Sequence, residues 1–107
     1  MEGVDLLGPE GTGPLWGTAS DDLNATLLVW PADHVVAEHV NPELDVLLVA
    51  LEGDAVVTID AEESRLAAGQ ALLVPKGAAR AIRAGAAGVR YLSVHRRRGP
   101  LQIAERP

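Results

Sequence analysis

Gly69-Gln-Ala-Leu-Leu-Val-Pro75-Lys-Gly77-Ala-Ala-Arg80 carries the punctuation of a compact β-structure. Gly69 permits a tight turn and residues 71–74 read as a short apolar strand. Pro75-Lys76-Gly77 then ends that strand with a kink that re-aims the chain into the next one. Arg80 places a permanently charged, five-donor fork at the start of an otherwise apolar segment.

The same grammar extends in both directions. Gly or Pro interrupts nearly every apolar run before a helix of about ten residues could form, which predicts an all-β chain. Candidate strands are residues 24–30, 35–40, 46–51, 55–59, 63–66, 71–74, 79–84 and 89–95, enough for a sandwich or barrel. Glu52-Gly53-Asp54, Asp60-Ala61-Glu62, Ala68-Gly69 and Gly85-Ala-Ala-Gly88 are read as short turns, so neighbouring strands are expected to be antiparallel. Residues 1–18, rich in Gly and Pro, are expected to form a strap across the barrel surface rather than a core strand. Arg96-Arg97-Arg98-Gly99-Pro100 ends the last strand, and residues 101–103 are read as a short edge.

At 107 residues and 48% apolar composition, the chain (1–107) is expected to be one domain with a real core. Its formal net charge of -6 argues against nucleic acid or an anionic membrane as partner. The charge is also divided along the chain. Fourteen acids and no base precede Arg65, whereas all nine Lys and Arg follow from there with one acid, Glu105, so the two halves should attract each other. With no Cys, disulfides, thiolate metal sites and Cys nucleophiles are excluded. The first residues lack the basic start and apolar run of a signal peptide, and a cytoplasmic location is the expectation.

Two segments together resemble the motifs of the cupin superfamily, in its small single-domain form. His39-Val-Asn41-Pro-Glu-Leu-Asp45-Val-Leu-Leu-Val-Ala-Leu-Glu52-Gly53 is similar to the first motif, in which two histidines one residue apart precede a glutamate and a later glycine. The segment from Gly69 to Arg80 is similar to the second in its Gly, Pro and Gly spacing, and the conserved barrel would span about residues 35–94. The resemblance implies a double-stranded β-helix, the jelly-roll barrel, whose usual site is three imidazoles and a carboxylate on a transition metal. This chain departs from it. Asn41 replaces the second His, Asp45 or Val46 stands at the Glu position, and Arg80 replaces the final His. Asn41 is a weak neutral donor, and a guanidinium cannot ligate a cation.

Period-two alternation puts Ala37, His39 and Asn41 on one face, Arg80, Ile82 and Ala84 on another, and Tyr91, Ser93 and His95 on a third. If the motifs align, His39, Asn41, Asp45, Arg80, Tyr91 and His95 are the candidate ligand-binding residues, and His39 is the candidate metal ligand. Arg80 either recognises a carboxylate or phosphate or pairs with Asp45, closing a His39–Asp45–Arg80 network. His39 is otherwise a satisfied core histidine, His34 a solvated turn residue and His95 a rim residue. Trp16 and Trp30 are read as sealing the core. The leading function is a small-molecule-binding protein with a degenerate metal site, no cofactor and a small, anionic ligand. Its alternative is a metal-dependent dioxygenase or isomerase using His39, a reduced ligand set and a divalent transition metal. Residues 46–51 are apolar on both faces, which predicts a homodimer.

Overall fold

The computed structural model describes residues 2–97, and within them there is no helix, so none is long and apolar enough to cross a membrane. The seven strands are β1 (Gly13–Ala19), β2 (Leu23–Trp30), β3 (Val35–Val40), β4 (Val46–Ile59), β5 (Glu62–Ala67), β6 (Ala71–Val74) and β7 (Ala79–Arg96). Every pairing is antiparallel. The long strands β4 and β7 serve two layers. Residues 46–53 of β4 and 89–96 of β7 lie in a first layer ordered β1-β2-β7-β4-β6. Residues 55–59 and 79–84 of the same strands lie in a second, ordered β3-β7-β4-β5. This is the expected jelly-roll arrangement, all β.

Two segments read as turns are not turns. Glu52-Gly53-Asp54 lies inside β4, and residues 85–88 lie inside β7, where the ladder between the two strands shifts register. The reason is steric. Gly53 has φ +70°, and a Cβ there would collide with the carbonyl oxygen of Gly88; Gly88 has φ +78°, and its Cβ would sit 2.6 Å from the carbonyl oxygen of Trp30. The glycines let two strands cross closely while both bend from one layer into the other, the work of a bulge rather than a hairpin. By contrast Asp60-Ala61 is a true two-residue hairpin, with both residues at positive φ and Ile59 opposite Glu62. Ala68-Gly69 does connect strands, but β5 and β6 each pair with β4 rather than with one another.

The strap is shorter than expected. Residues 13–19 form edge strand β1 against β2, with a register shift between Pro14 and Trp16. Ahead of it, Arg90 holds the chain: Nη1 and Nη2 donate to the carbonyl oxygens of Leu6 and Pro9 (3.0 and 2.9 Å) while Nε donates to Glu52 (2.8 Å). The predicted attraction between the halves takes concrete form here. Both salt bridges among the described residues, Glu52–Arg90 and Asp54–Arg65, join an acid of the first half to a base of the second. Arg98 and residues 101–103, read as a strand end and a short edge, lie outside the described residues.

Alternation along β4 sets the core. Val46, Leu48 and Ala50 turn inward in the first layer and Ala55 and Val57 in the second, all at most 2% exposed. They meet Leu66, Val74, Ile82, Ala84, Val89 and Tyr91 between the layers. The inward face of β7 changes from even to odd numbers between Ala84 and Val89, which is the register change at residues 85–88 seen from the side chains.

Candidate functional site

β3 and β7 bring His39 opposite Arg80. A register shift between Val36 and His39 makes this possible, so Ala37, expected on the same face as His39, does not share it: Val36 packs on the core while Ala37 is exposed. Arg80 Nε donates to His39 Nε2 at 3.1 Å, and His39 Nδ1 lies 3.2 Å from the carbonyl oxygen of Ala37. Both contacts are satisfied by one neutral ring, protonated on Nδ1 and accepting at Nε2; this tautomer is assigned from the bonding pattern. The lone pair a cation would need is thus engaged by a guanidinium.

Arg80 is otherwise underpartnered. Its Nη1 is buried without a hydrogen-bond partner, and burial pulls the guanidinium pKa below its ordinary value, with Tyr91 opposing. Desolvating a cation with a donor left unused is costly unless something completes it. Tyr91 is 3% exposed, and its hydroxyl accepts a hydrogen bond from Trp30 Nε1 at 3.1 Å. Trp30 in turn stacks on His34, ring centroids 4.2 Å apart and ring planes nearly parallel at 7°. Trp30 and His34, read as core seal and turn residue, therefore belong to the same cluster. The signal is present in the chain: a turn of three residues after Trp30 returns His34 beside it.

Burial pushes the Tyr91 hydroxyl above the ordinary tyrosine value, while the Trp30 hydrogen bond and the Arg80 charge both favour the phenolate and oppose that rise. Tyr91 is the sole tyrosine, so ultraviolet difference titration reads it directly. It is expected to ionise above about pH 10, and higher still in Arg80→Gln, which removes the favouring charge. Because the folded state holds this proton more tightly than the unfolded state, the associated stability is complete below about pH 10 and is lost as pH rises through the folded value. A midpoint at or below that of free tyrosine would contradict the burial.

The remaining candidates do other work. Asn41 Oδ1 accepts from the backbone N–H of Glu43 and of Leu44, both at 3.2 Å, and its carbonyl oxygen accepts from Gly77 N–H at 2.8 Å. Asp45 Oδ1 accepts from Lys76 N–H at 2.8 Å. These bonds stitch the two motif loops together, and they correct the expected His39–Asp45–Arg80 network: Asp45 caps the Pro75-Lys76-Gly77 turn and Arg80 bonds His39 instead. The physical reason is reach, since Asp45 precedes β4 beside the turn whose open N–H it satisfies. His95 lies on the Tyr91 face but four residues along, roughly 13 Å. There its Nε2 contacts Asn24 Nδ2 (3.3 Å) and its Nδ1 the carbonyl oxygen of Arg96 (2.9 Å).

Among the described residues, no three His, Cys, Asp or Glu side chains converge as a metal would require. His39 stands with a cation and a carbonyl, so this donor set does not fit three imidazoles and a carboxylate.

The structure is similar to a cupin superfamily protein from Desulfitobacterium hafniense DCB-2, with TM-score 0.65, 27% identity and coverage of 76% of this chain and 71% of that one. It is also similar to KdgF from Halomonas sp. (TM-score 0.73, 19% identity, 81% of this chain and 80% of that). A third is the Cnp3 cupin domain of Schizosaccharomyces pombe (TM-score 0.72, 20% identity, 85% and 68%). At such identities the latter two speak for the fold alone. No family model and no curated protein sequence matches the chain.

Proposed function

The chain is a small member of the cupin superfamily, and from that premise we propose that it binds a small anionic molecule through Arg80, in place of the family's metal. The buried, unpartnered Nη1 of Arg80 carries this reading. A carboxylate or phosphate oxygen is the group that would satisfy it, giving a charge-assisted bond in a partly desolvated place where such bonds are strongest. Two neighbours assist. The Tyr91 hydroxyl accepts from Trp30, which leaves its own proton to donate to the same oxyanion. His39 fixes Nε of the guanidinium and so limits how the fork can turn. The former metal positions thus divide into one anion-binding residue, Arg80, one orienting residue, His39, and two loop fasteners, Asn41 and Asp45.

The test is a thermal-shift and calorimetric screen of small mono- and dicarboxylates and inorganic phosphate. A true ligand at a hundred times its Kd is expected to stabilise the protein by about 2.7 kcal/mol, a rise in melting temperature of about 10 °C or more. Arg80→Gln is expected to abolish that rise while changing the unliganded stability by less than about 1 kcal/mol, because the Nη1 it removes has no partner and the Nε bond it removes, to His39, is solvent-exposed. Tyr91→Phe should weaken binding about tenfold by deleting one hydroxyl donor. The reading is overturned if no anion stabilises the wild type, or if Arg80→Gln binds as well. Stabilisation by zinc, nickel, iron or manganese would favour the metal-dependent alternative.

A further inference from the structure

We propose that the outer face of the second layer holds a separate ligand site, a hollow over Ala81 that takes a short ω-amino acid, an alkyl chain with an ammonium at one end and a carboxylate at the other. The registers lay out its walls. Val35, Arg83, Val56 and Arg65 stand side by side across β3, β7, β4 and β5, and Ala81, Thr58 and Glu63 form the next row. These positions alternate with the inward Ile82, Val57 and Leu66, so their side chains point away from the core. Ala81 is the shortest of them, and the face is hollow there instead of flat. The hollow holds about 240 Å³, with Val35, Val56, Thr58, Glu63 and Arg83 around Ala81.

The charges on this face are paired unevenly. Arg65 is taken by Asp54, whose Oδ2 lies 3.1 Å from both Nε and Nη2. The side chains of Arg83 and Glu63 make no hydrogen bond or salt bridge among the described residues, with each other or with any neighbour. Their Cα atoms stand two strands and one two-residue step apart, roughly 12 Å, with Ala81 and Val56 between.

A lone surface charge needs no partner, since water solvates it. Here two opposite charges stand at opposite ends of one hollow, and the floor between them is apolar. A plain carboxylate would engage Arg83 and leave Glu63 idle; an alkylamine would do the reverse. A molecule carrying both ends gives its carboxylate to the Arg83 fork and its ammonium to Glu63, with the half-buried Thr58 hydroxyl as a further acceptor. Its methylenes then lie on Ala81, Val35 and Val56, where each one removed from water adds affinity. An α-amino acid fits less well, because its two charges sit on one carbon and cannot reach both ends. The site is distinct from the barrel interior, since Arg80 points inward from β7 with Ile82 while Ala81 and Arg83 point outward.

The experiment is ligand-observed saturation-transfer NMR with titration calorimetry, made in Arg80→Gln so that carboxylate binding inside the barrel does not contribute. 5-Aminopentanoate is expected to bind with a Kd at or below about 1 mM, and pentanoate, pentylamine and norvaline about tenfold or more weakly. Arg83→Gln and Glu63→Gln, both at exposed positions, are each expected to weaken 5-aminopentanoate about tenfold with an unchanged far-ultraviolet spectrum. Arg96→Gln makes the same charge change as Arg83→Gln on the other layer and should leave binding unchanged. The proposal is overturned if 5-aminopentanoate shows no saturable binding up to about 10 mM, or if any of the three comparison compounds binds as tightly. It is equally overturned if neither Arg83→Gln nor Glu63→Gln weakens binding, or if Arg96→Gln weakens it as much, which would make the effect one of overall charge.

Discussion

Gly53→Ala is expected to lower stability by about 3–5 kcal/mol, enough to shift the urea midpoint by about 2 M or the melting temperature by about 15 °C. Two effects combine. A side chain at φ +70° costs about 1 kcal/mol or more by itself. Most of the loss comes from the collision of the new Cβ with the Gly88 carbonyl oxygen, backbone that cannot swing aside as a flexible side chain could. Relief requires β4 and β7 to separate where both bend between layers, disturbing the ladder on either side. Gly69→Ala separates the two effects. Gly69 has φ +85°, but a Cβ added there would meet nothing within 4 Å, so its substitution should cost only about 1 kcal/mol. Equal losses at the two sites would mean that the strand crossing at Gly53 does not carry the strain described.

That crossing also explains which parts of the fold are legible in the sequence. Strands β3 and β6 and the Asp60-Ala61 hairpin follow from alternation and turn chemistry, because their determinants are local. Glu52-Gly53-Asp54 and residues 85–88 have the same local composition as turns, and the glycine that permits a hairpin equally permits a bulge. What decides between them is the proximity of Gly53 to Gly88, residues far apart in the chain. One-residue shifts have further consequences. The shift between Val36 and His39 moves Ala37 off the expected face, while the pairing of His39 with Arg80 across β3 and β7 has no local signal beyond the two motifs that contain both residues. Charge alone would pair Asp45 with Arg80, yet a nearby backbone N–H, that of Lys76, claims it first. Short polar side chains beside turns satisfy backbone before they satisfy distant charges.

Leu48→Ala is expected to cost about 2–5 kcal/mol, against less than about 1 kcal/mol for Leu47→Ala in the monomer. The two leucines are adjacent in β4 and point to opposite sides of it. Leu48 is 2% exposed in the core cluster with Tyr91, opposite Leu72 on one side and Ser93 on the other, whereas Leu47 is 39% exposed on the outward face. Truncating Leu48 leaves a cavity between two rigid layers that cannot close over it, and the cost includes lost contacts as well as transfer energy. Its loss should also loosen the packing around Tyr91, so the Tyr91 titration midpoint is expected to fall toward about pH 10 in Leu48→Ala and stay unchanged in Leu47→Ala. A Leu48 penalty no larger than that of Leu47→Ala would mean that β4 presents its other face to the core.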